Sequence, residues 1–167
     1  MFKLLGINTS DKHEFYRELY TYLEGLVSDD PDWLAGLADA ASLLYLTLEN
    51  INWAGFYILK GNDLVLGPFQ GKPACVRIPL GKGVCGTAAD TRQIQVVKDV
   101  HLFPGHIACD EASRSEIVVP IIAGDRLIGV LDVDSPVLNR FDETDAEGLS
   151  RFVDILNQYL AWPERFV

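Results

Sequence analysis

Trp53-Ala54-Gly55-Phe56-Tyr57-Ile58-Leu59 is an almost wholly apolar run rich in aromatic residues, and Lys60-Gly61-Asn62-Asp63 follows it directly. Bulky, β-prone residues ending abruptly in a glycine-asparagine pair read as a buried strand entering a tight turn. Leu64-Val65-Leu66-Gly67-Pro68-Phe69 then reads as the antiparallel partner of a hairpin. A hairpin here, preceded by helical spacing and followed by a second hairpin, points to an α+β fold rather than alternating βαβ units.

Upstream, Phe15, Leu19, Tyr22, Leu23 and Leu26 recur at helical spacing until Ser28-Asp29-Asp30-Pro31 breaks the run. Pro31 suits the first turn of a second helix, which is expected to carry Leu34, Leu37, Ala38, Ala41, Leu44 and Leu48 on one face. Downstream, Ala74-Cys75-Val76-Arg77-Ile78 alternates as a third strand, placing Cys75 and Arg77 on a common face. Gly81-Lys82-Gly83 enters a short helix from Val84 to Thr91, Ile94 to Val97 is a short strand, and Lys98 to Ser113 is a long loop. Ser115 to Ile122 and Arg126 to Asp134 form the second hairpin through Ala123-Gly124-Asp125. A last helix runs from about Asp142 to Leu160, with Phe141 as staple and Asp142 or Thr144 as cap. The expected architecture is one domain over residues 1–167, with its core at about 32–160. About six mostly antiparallel strands are flanked by two N-terminal helices, a short middle helix and a C-terminal helix. No internal repeat, low-complexity tract or linker interrupts it.

Hydrophobic residues make up 49% of the chain, enough for a substantial core. The formal net charge of -10 disfavours nucleic acid and anionic membrane surfaces as partners. No apolar run approaches the ~20 residues of a membrane-spanning helix. The short run Met1-Phe2-Lys3-Leu4-Leu5 soon gives way to Asn8-Thr9-Ser10-Asp11-Lys12, so no secretory segment is read and a cytoplasmic location is expected.

Three cysteines, Cys75, Cys85 and Cys109, carry the chemical signal. An odd number in a reducing compartment argues against a structural disulfide framework. Cys109 lies in Phe103-Pro104-Gly105-His106-Ile107-Ala108-Cys109-Asp110-Glu111, a stretch without periodicity, where a thiol can meet solvent and substrate. Asp110 and Glu111 should raise its pKa unless a helix end or a cation intervenes. Cys85 falls in the first helical turn, where the helix dipole favours a thiolate, and also suits a small core position.

Asp132 and Asp134 are two residues apart on one strand, hence on one face, with Leu131 and Val133 on the other. Pairing of the second hairpin brings Glu116 to the same end of the sheet. Three carboxyl groups held together repel one another and keep a proton near neutrality, which supplies a general acid and partners for an ammonium group. Trp53 and Tyr57, four apart on a strand, share a face and can wall an apolar slot. His101 and His106 with the cysteines match no compact zinc spacing, so no metal is expected. Gly81-Lys82-Gly83 lacks the trailing Gly-Lys-Ser/Thr of a phosphate loop.

Taken with the element order, Gly81-Lys82-Gly83-Val84-Cys85-Gly86, Ser115-Glu116-Ile117-Val118-Val119-Pro120-Ile121, Gly129-Val130-Leu131-Asp132-Val133-Asp134-Ser135 and Asn139-Arg140-Phe141-Asp142-Glu143 resemble a GAF domain. Within that family the chain resembles the free methionine-(R)-sulfoxide reductases. The motifs behind this are Asn52-Trp53-Ala54-Gly55-Phe56-Tyr57, Gly67-Pro68-Phe69-Gln70-Gly71, the cysteine triplet and the Asp99 to Asp110 stretch. The resemblance covers essentially the whole chain. It implies reduction of free L-methionine-(R)-sulfoxide with Cys109 as nucleophile and Cys75 as resolving thiol. Cys85 is then either a second resolving thiol or a core residue. It implies that Glu116, Asp132 and Asp134 surround the substrate, with Glu116 as acid or binding carboxylate. Trp53 and Tyr57 would hold the S-methyl group, and backbone N–H groups near Ser113-Arg114-Ser115 or at a helix N-terminus would hold the substrate carboxylate. A thioredoxin-type dithiol would recycle the enzyme without a bound cofactor, because nothing resembles a flavin or nicotinamide site, and a homodimer is implied. The alternative is a stand-alone GAF sensor that binds a small ligand or signals by cysteine oxidation, although a sensor would be expected to carry an output domain.

Overall fold

The computed structural model describes residues 6–107 and 109–166, which leaves the Met1–Leu5 run outside the described residues. Its sheet grows outward from the first hairpin. Strand β1 (Trp53–Lys60) turns at Gly61, whose φ of 65° belongs to the left-handed region that glycine enters freely, into β2 (Asp63–Gly71). The second hairpin, β5 (Ser115–Ala123) and β6 (Arg126–Ser135), turns in the same way at Gly124. Strands β3 (Arg77–Pro79) and β4 (Gln95–Val97) add the two edges. The order is β3-β2-β1-β6-β5-β4, and every neighbouring pair is antiparallel.

Strand parity divides the molecule into two layers. Ala54, Phe56 and Ile58 of β1 join Ile117, Val119 and Ile121 of β5 and Leu131 and Val133 of β6 in one core. Helices α1 (Lys12–Val27), α2 (Trp33–Thr47) and α4 (Glu143–Tyr159) cover it. The alternate residues Trp53, Tyr57, Val118 and Val130 face the other way, where α3 (Gly83–Thr91) supplies Val84, Cys85, Ala88 and Ala89. This two-sided burial explains why β1 is apolar throughout.

Three expectations need correction. Pro31 lies outside α2, whose first turn is capped by Asp32 accepting from the Ala35 N–H; the Pro31 carbonyl instead receives the Ala161 N–H. On α2 and its C-cap, Leu37, Ala41, Leu44 and Leu48 are buried, but Leu34 is 51% exposed and Ala38 is exposed too, because they fall with Tyr45 on the flank of the helix beside the stripe that the core takes up. The third strand begins at Arg77, so Cys75 is not part of it, and shared-face geometry with Arg77 does not apply. Side chains on β1 intervene: the Trp53 indole N–H donates to the Lys72 carbonyl at 3.1 Å and the Tyr57 hydroxyl to the Cys75 carbonyl at 3.0 Å. Arg77 turns outward to Asp63, 3.6 Å away.

Helix α4 starts with a capping box between Asp142 and Asp145. Asp145, only 1% exposed, also accepts from the Tyr16 hydroxyl at 2.9 Å, pairs with Lys12 at 2.5 Å and lies 3.4 Å from Arg140. One carboxylate thus ties α1 to α4. No helix among the described residues is long and apolar enough to cross a membrane.

Replacing Asp145 by alanine removes a capping partner, the acceptor of the buried Tyr16 hydroxyl and one partner each of Lys12 and Arg140, and is expected to lower unfolding stability by about 3 kcal/mol. Urea titration of Asp145→Ala beside Lys12→Ala checks this, since the half-exposed lysine should cost no more than about 1 kcal/mol.

Candidate active site

The face of the sheet opposite α1, α2 and α4 is not filled completely. Between β1, β5, β6, the start of α3 and the loop after β4 lies a cleft of about 520 Å³, its open mouth included. Sheet register places its acidic wall. Glu116 sits directly opposite Asp134 across β5–β6, and Asp132 stands opposite Val118, so the three carboxyl groups project from one face. Asp132 also faces Gly55 on β1, where an added Cβ would come within 2.8 Å of the Trp53 indole. The missing side chain therefore makes room for the ring. Trp53 stacks on Tyr57 at 5.9 Å and on Phe69 at 5.3 Å, forming the opposite, apolar wall.

Glu116 and Asp132 are each 6% exposed and share a hydrogen bond. The Cys85 Sγ lies 3.9 Å from Glu116 Oε1. Burial, followed by repulsion from Asp132 and Asp134, pushes the Glu116 pKa well above the usual carboxylate range. Asp134 moves in the same direction, first from burial and then from Asp132. Burial raises Asp132 to about 7, against the opposing hydrogen bonds from Cys85 and Glu116. The cluster therefore retains protons near neutrality. Asp132 Oδ1 is buried and has no hydrogen-bond partner among the described residues, an acceptor that a ligand N–H can satisfy.

Cys85 differs from its sequence reading. The start of α3 does favour a thiolate, but burial and the adjacent Asp132 and Glu116 charges outweigh it and push the thiol well above its ordinary pKa. Cys85, Glu116 and Asp132 offer ligand atoms within 4.8 Å of one another, a set with the right donors for a divalent metal only once all three are deprotonated. His101 is exposed and pairs with Asp99 at 3.2 Å. His106 reaches into the cleft, with Nε2 3.8 Å from Glu116 Oε2, and burial lowers its pKa.

Cys75 and Cys109 are joined by a disulfide with Cα atoms 5.7 Å apart. Cys109 lines the cleft; Cys75 is half-buried, its carbonyl held by Tyr57. The loop beyond Cys109 is anchored by Asn52, whose amide donates to Asp110 at 3.0 Å and Ser113 at 3.1 Å. Asp110 also accepts the Ala112 N–H, which with Asn52 and Lys72 holds its carboxyl below the usual range. Asn52, Lys72 and Ser113 were not singled out as site side chains from sequence. Asn52 directly precedes Trp53, yet its reach across to Asp110 exists only in three dimensions. Helix α3 begins without a side-chain cap, and its first residues Gly83, Val84 and Cys85 border the cleft.

A GAF domain model matches residues 34–160 of the chain. The free methionine-R-sulfoxide reductase of Escherichia coli strain K12 is 53% identical over 90% of this chain and 92% of its own length. That of Saccharomyces cerevisiae is 45% identical, covering 89% and 87% respectively. Among solved structures, free methionine-R-sulfoxide reductase from Neisseria meningitidis in complex with its substrate superposes with a TM-score of 0.89 at 47% identity, over 93% of this chain and 94% of that one.

The buried carboxyl groups make stability depend on pH. Unfolded carboxyl groups ionise near pH 4, whereas Asp132 in the fold keeps its proton up to about 7 and Glu116 and Asp134 are shifted in the same direction. Between those limits the folded chain binds more protons than the unfolded one. Stability from this cluster is thus complete below about pH 4 and is lost as pH rises, by about 1.4 kcal/mol per unit for each carboxyl still protonated. His106, with its lowered pKa, acts in the opposite sense, so the comparison with a variant is decisive. Thermal unfolding between about pH 5 and 8 should show Asp132→Asn gaining stability relative to the parent as pH rises; a constant difference would contradict the assignment.

Proposed function

This chain belongs to the GAF-domain family, among its free methionine-R-sulfoxide reductases, and from that premise we propose that it reduces free L-methionine-(R)-sulfoxide to L-methionine through a thiol–disulfide cycle. The observation that carries the reading is the position of Cys109: it borders the same cleft as Glu116, Asp132 and Asp134 while bonded to Cys75. In the reduced protein, the Cys109 thiolate attacks the sulfoxide sulfur. Glu116, protonated because it is buried among like charges, donates to the departing oxygen. The new bond between Cys109 Sγ and the substrate sulfur then breaks as an oxygen is taken up by Cys109 Sγ, its electron pair leaving with methionine, so that methionine and a Cys109 sulfenic acid result. Cys75 displaces the sulfenic oxygen as water to give the disulfide. The sulfoxide has gained an electron pair and become a sulfide, and the two thiols have lost one.

The remaining residues orient the substrate. Its ammonium group meets Asp132 and Asp134, supplying a donor to the unpartnered Asp132 Oδ1. Its carboxylate meets the uncapped start of α3, and its S-methyl group lies against Trp53 and Tyr57. Cys85 stays protonated as part of the acidic cluster, and serves as a second resolving thiol only if Cys75 is absent. A thioredoxin-type dithiol reopens the disulfide, with no bound cofactor or metal in the cycle. The proposal places the enzyme in the cytoplasm as a homodimer. Exposed Leu34, Tyr45 and Leu46 on α2 support a self-association face.

Dithiothreitol-driven turnover tests the reading, with the two sulfoxide epimers and an N-acetylated analogue assayed separately. Only the free R epimer should be consumed. Cys109→Ser should abolish turnover, whereas a ligand sensor with this substitution would keep its affinity. Asp132→Asn should raise KM about 10- to 100-fold, the value of one charge-assisted hydrogen bond. Turnover of the N-acetylated compound at a comparable rate would rule out the ammonium site.

A further inference from the structure

Cys85 is the one cysteine outside the Cys75–Cys109 disulfide, and the proposed cycle gives it no step of its own while Cys75 is present. Its surroundings give it another capacity. Helix α3 brings it against β5 and β6, and one ligand atom each from Cys85, Glu116 and Asp132 lies within 4.8 Å of the others. Around a tetrahedral zinc ion, bonds of about 2.3 Å to sulfur and about 2.0 Å to oxygen set those two atoms about 3.5 Å apart. Cys85 Sγ stands 3.9 Å from Glu116 Oε1, so a small inward shift closes that pair on an ion. No linear motif announces the set, because its members come from a helix and two strands that meet only in the fold.

Two further observations point to a bound cation. Asp132, 6% exposed and part of the cleft lining, has a buried Oδ1 without a hydrogen-bond partner among the described residues. That oxygen is a vacant ligand position inside the cluster. Negative charge is also in excess here. Asp134 faces Glu116 across the hairpin and lines the same cleft. Among the described lining residues the one lysine or arginine is Lys72, which is paired with Asp110. His106 approaches Glu116 Oε2 at 3.8 Å, but burial lowers its pKa, so near neutrality it brings no fixed positive charge. A divalent ion offsets two of the charges that the ionised cluster carries, where an ammonium group offsets one.

We propose that Cys85, Glu116 and Asp132 form a site for a zinc-class divalent ion, its fourth position open to water from the cleft, and that this ion excludes an ammonium-bearing ligand from the same carboxyl groups. The metal site stands on the geometry; the exclusion rests on the substrate placement proposed above. Binding is an exchange of protons for metal. The thiol and each carboxyl group that holds a proton release it to water, and the freed lone pairs bond the ion with no change of oxidation state. The donors select the metal. A thiolate beside two carboxylates suits zinc and cobalt(II), whereas magnesium and calcium favour shells of oxygen alone. The oxidised chain, with Cys75 and Cys109 bonded to each other, still offers the ion its sulfur.

Cobalt(II) titrated into the full oxidised chain reports that sulfur directly, because Cys85 is then the one free thiol. One equivalent should produce a sulfur-to-cobalt charge-transfer band in the near ultraviolet, and zinc(II) should abolish it by displacement. Cys85→Ser should remove the band, and Asp132→Asn should weaken cobalt binding at least about tenfold, with circular dichroism showing each variant folded. The site is overturned by the absence of a band in the parent chain or by its survival in Cys85→Ser. Displacement by magnesium(II) as readily as by zinc(II) would overturn it equally. Should Cys85→Ser fail to fold, unchanged cobalt affinity in Asp132→Asn carries the refutation. Free L-methionine-(R)-sulfoxide added to the cobalt-loaded chain should bleach the band competitively. A band that persists at saturating sulfoxide overturns the exclusion and counts against the ammonium placement, while the titration itself still supports the metal site.

Discussion

Three carboxyl groups crowded on one sheet face, Glu116 and Asp132 buried and Asp134 half-buried, are costly, and the rest of the molecule is arranged around holding them there. The antiparallel register of β5 and β6 sets Glu116 against Asp134 and gives Asp132 the same orientation. The same strands turn Ile117, Val119, Leu131 and Val133 into the helical layer on the other side. A slip of one residue would exchange the two sets, burying carboxyl groups among leucines and exposing the core. The apolar face thus enforces the register that the acidic face could not maintain alone.

Desolvation then does the chemical work. The same burial that raises the carboxyl groups keeps Cys85 protonated, so a thiol that a helix end would activate on its own is quiet here. A separate cysteine on a loop supplies the nucleophile in the proposed cycle, close to the acids yet free of that burial. In that proposed cycle the division sets a proton donor beside a thiolate without each cancelling the other.

Most of the sheet was readable from local pattern. The two hairpins follow from turn residues between β-prone runs, and the convergence of Glu116, Asp132 and Asp134 follows from alternation plus hairpin pairing. The α4 start was legible from Asp142. What was not legible depended on contacts distant in sequence. Alternation at Ala74–Ile78 looked like strand, but carbonyls captured by Trp53 and Tyr57 hold Cys75 off the ladder. Leu34 and Ala38 fit the helical period of α2 and still face outward, because the buried stripe through Leu37, Ala40, Ala41 and Leu44 is centred to one side of them. Asn52, Lys72 and Ser113 carry no pattern of their own; their roles arise when loop and strand meet. Cys85 shows the same limit in energetic form, since a dipole is local and a dielectric environment is not.

The Cys75–Cys109 bond also closes a ring of chain. The two residues are 34 apart, and the segment between them contains β3, α3 and β4. In the chain-entropy account, closing a loop of that size deprives the denatured ensemble of freedom worth about 3–4 kcal/mol. The bond thus tethers the middle helix and both edge strands to the sheet. The oxidised chain is the more durable form, and in the proposed cycle each act of reduction would return it to a looser, more perishable one.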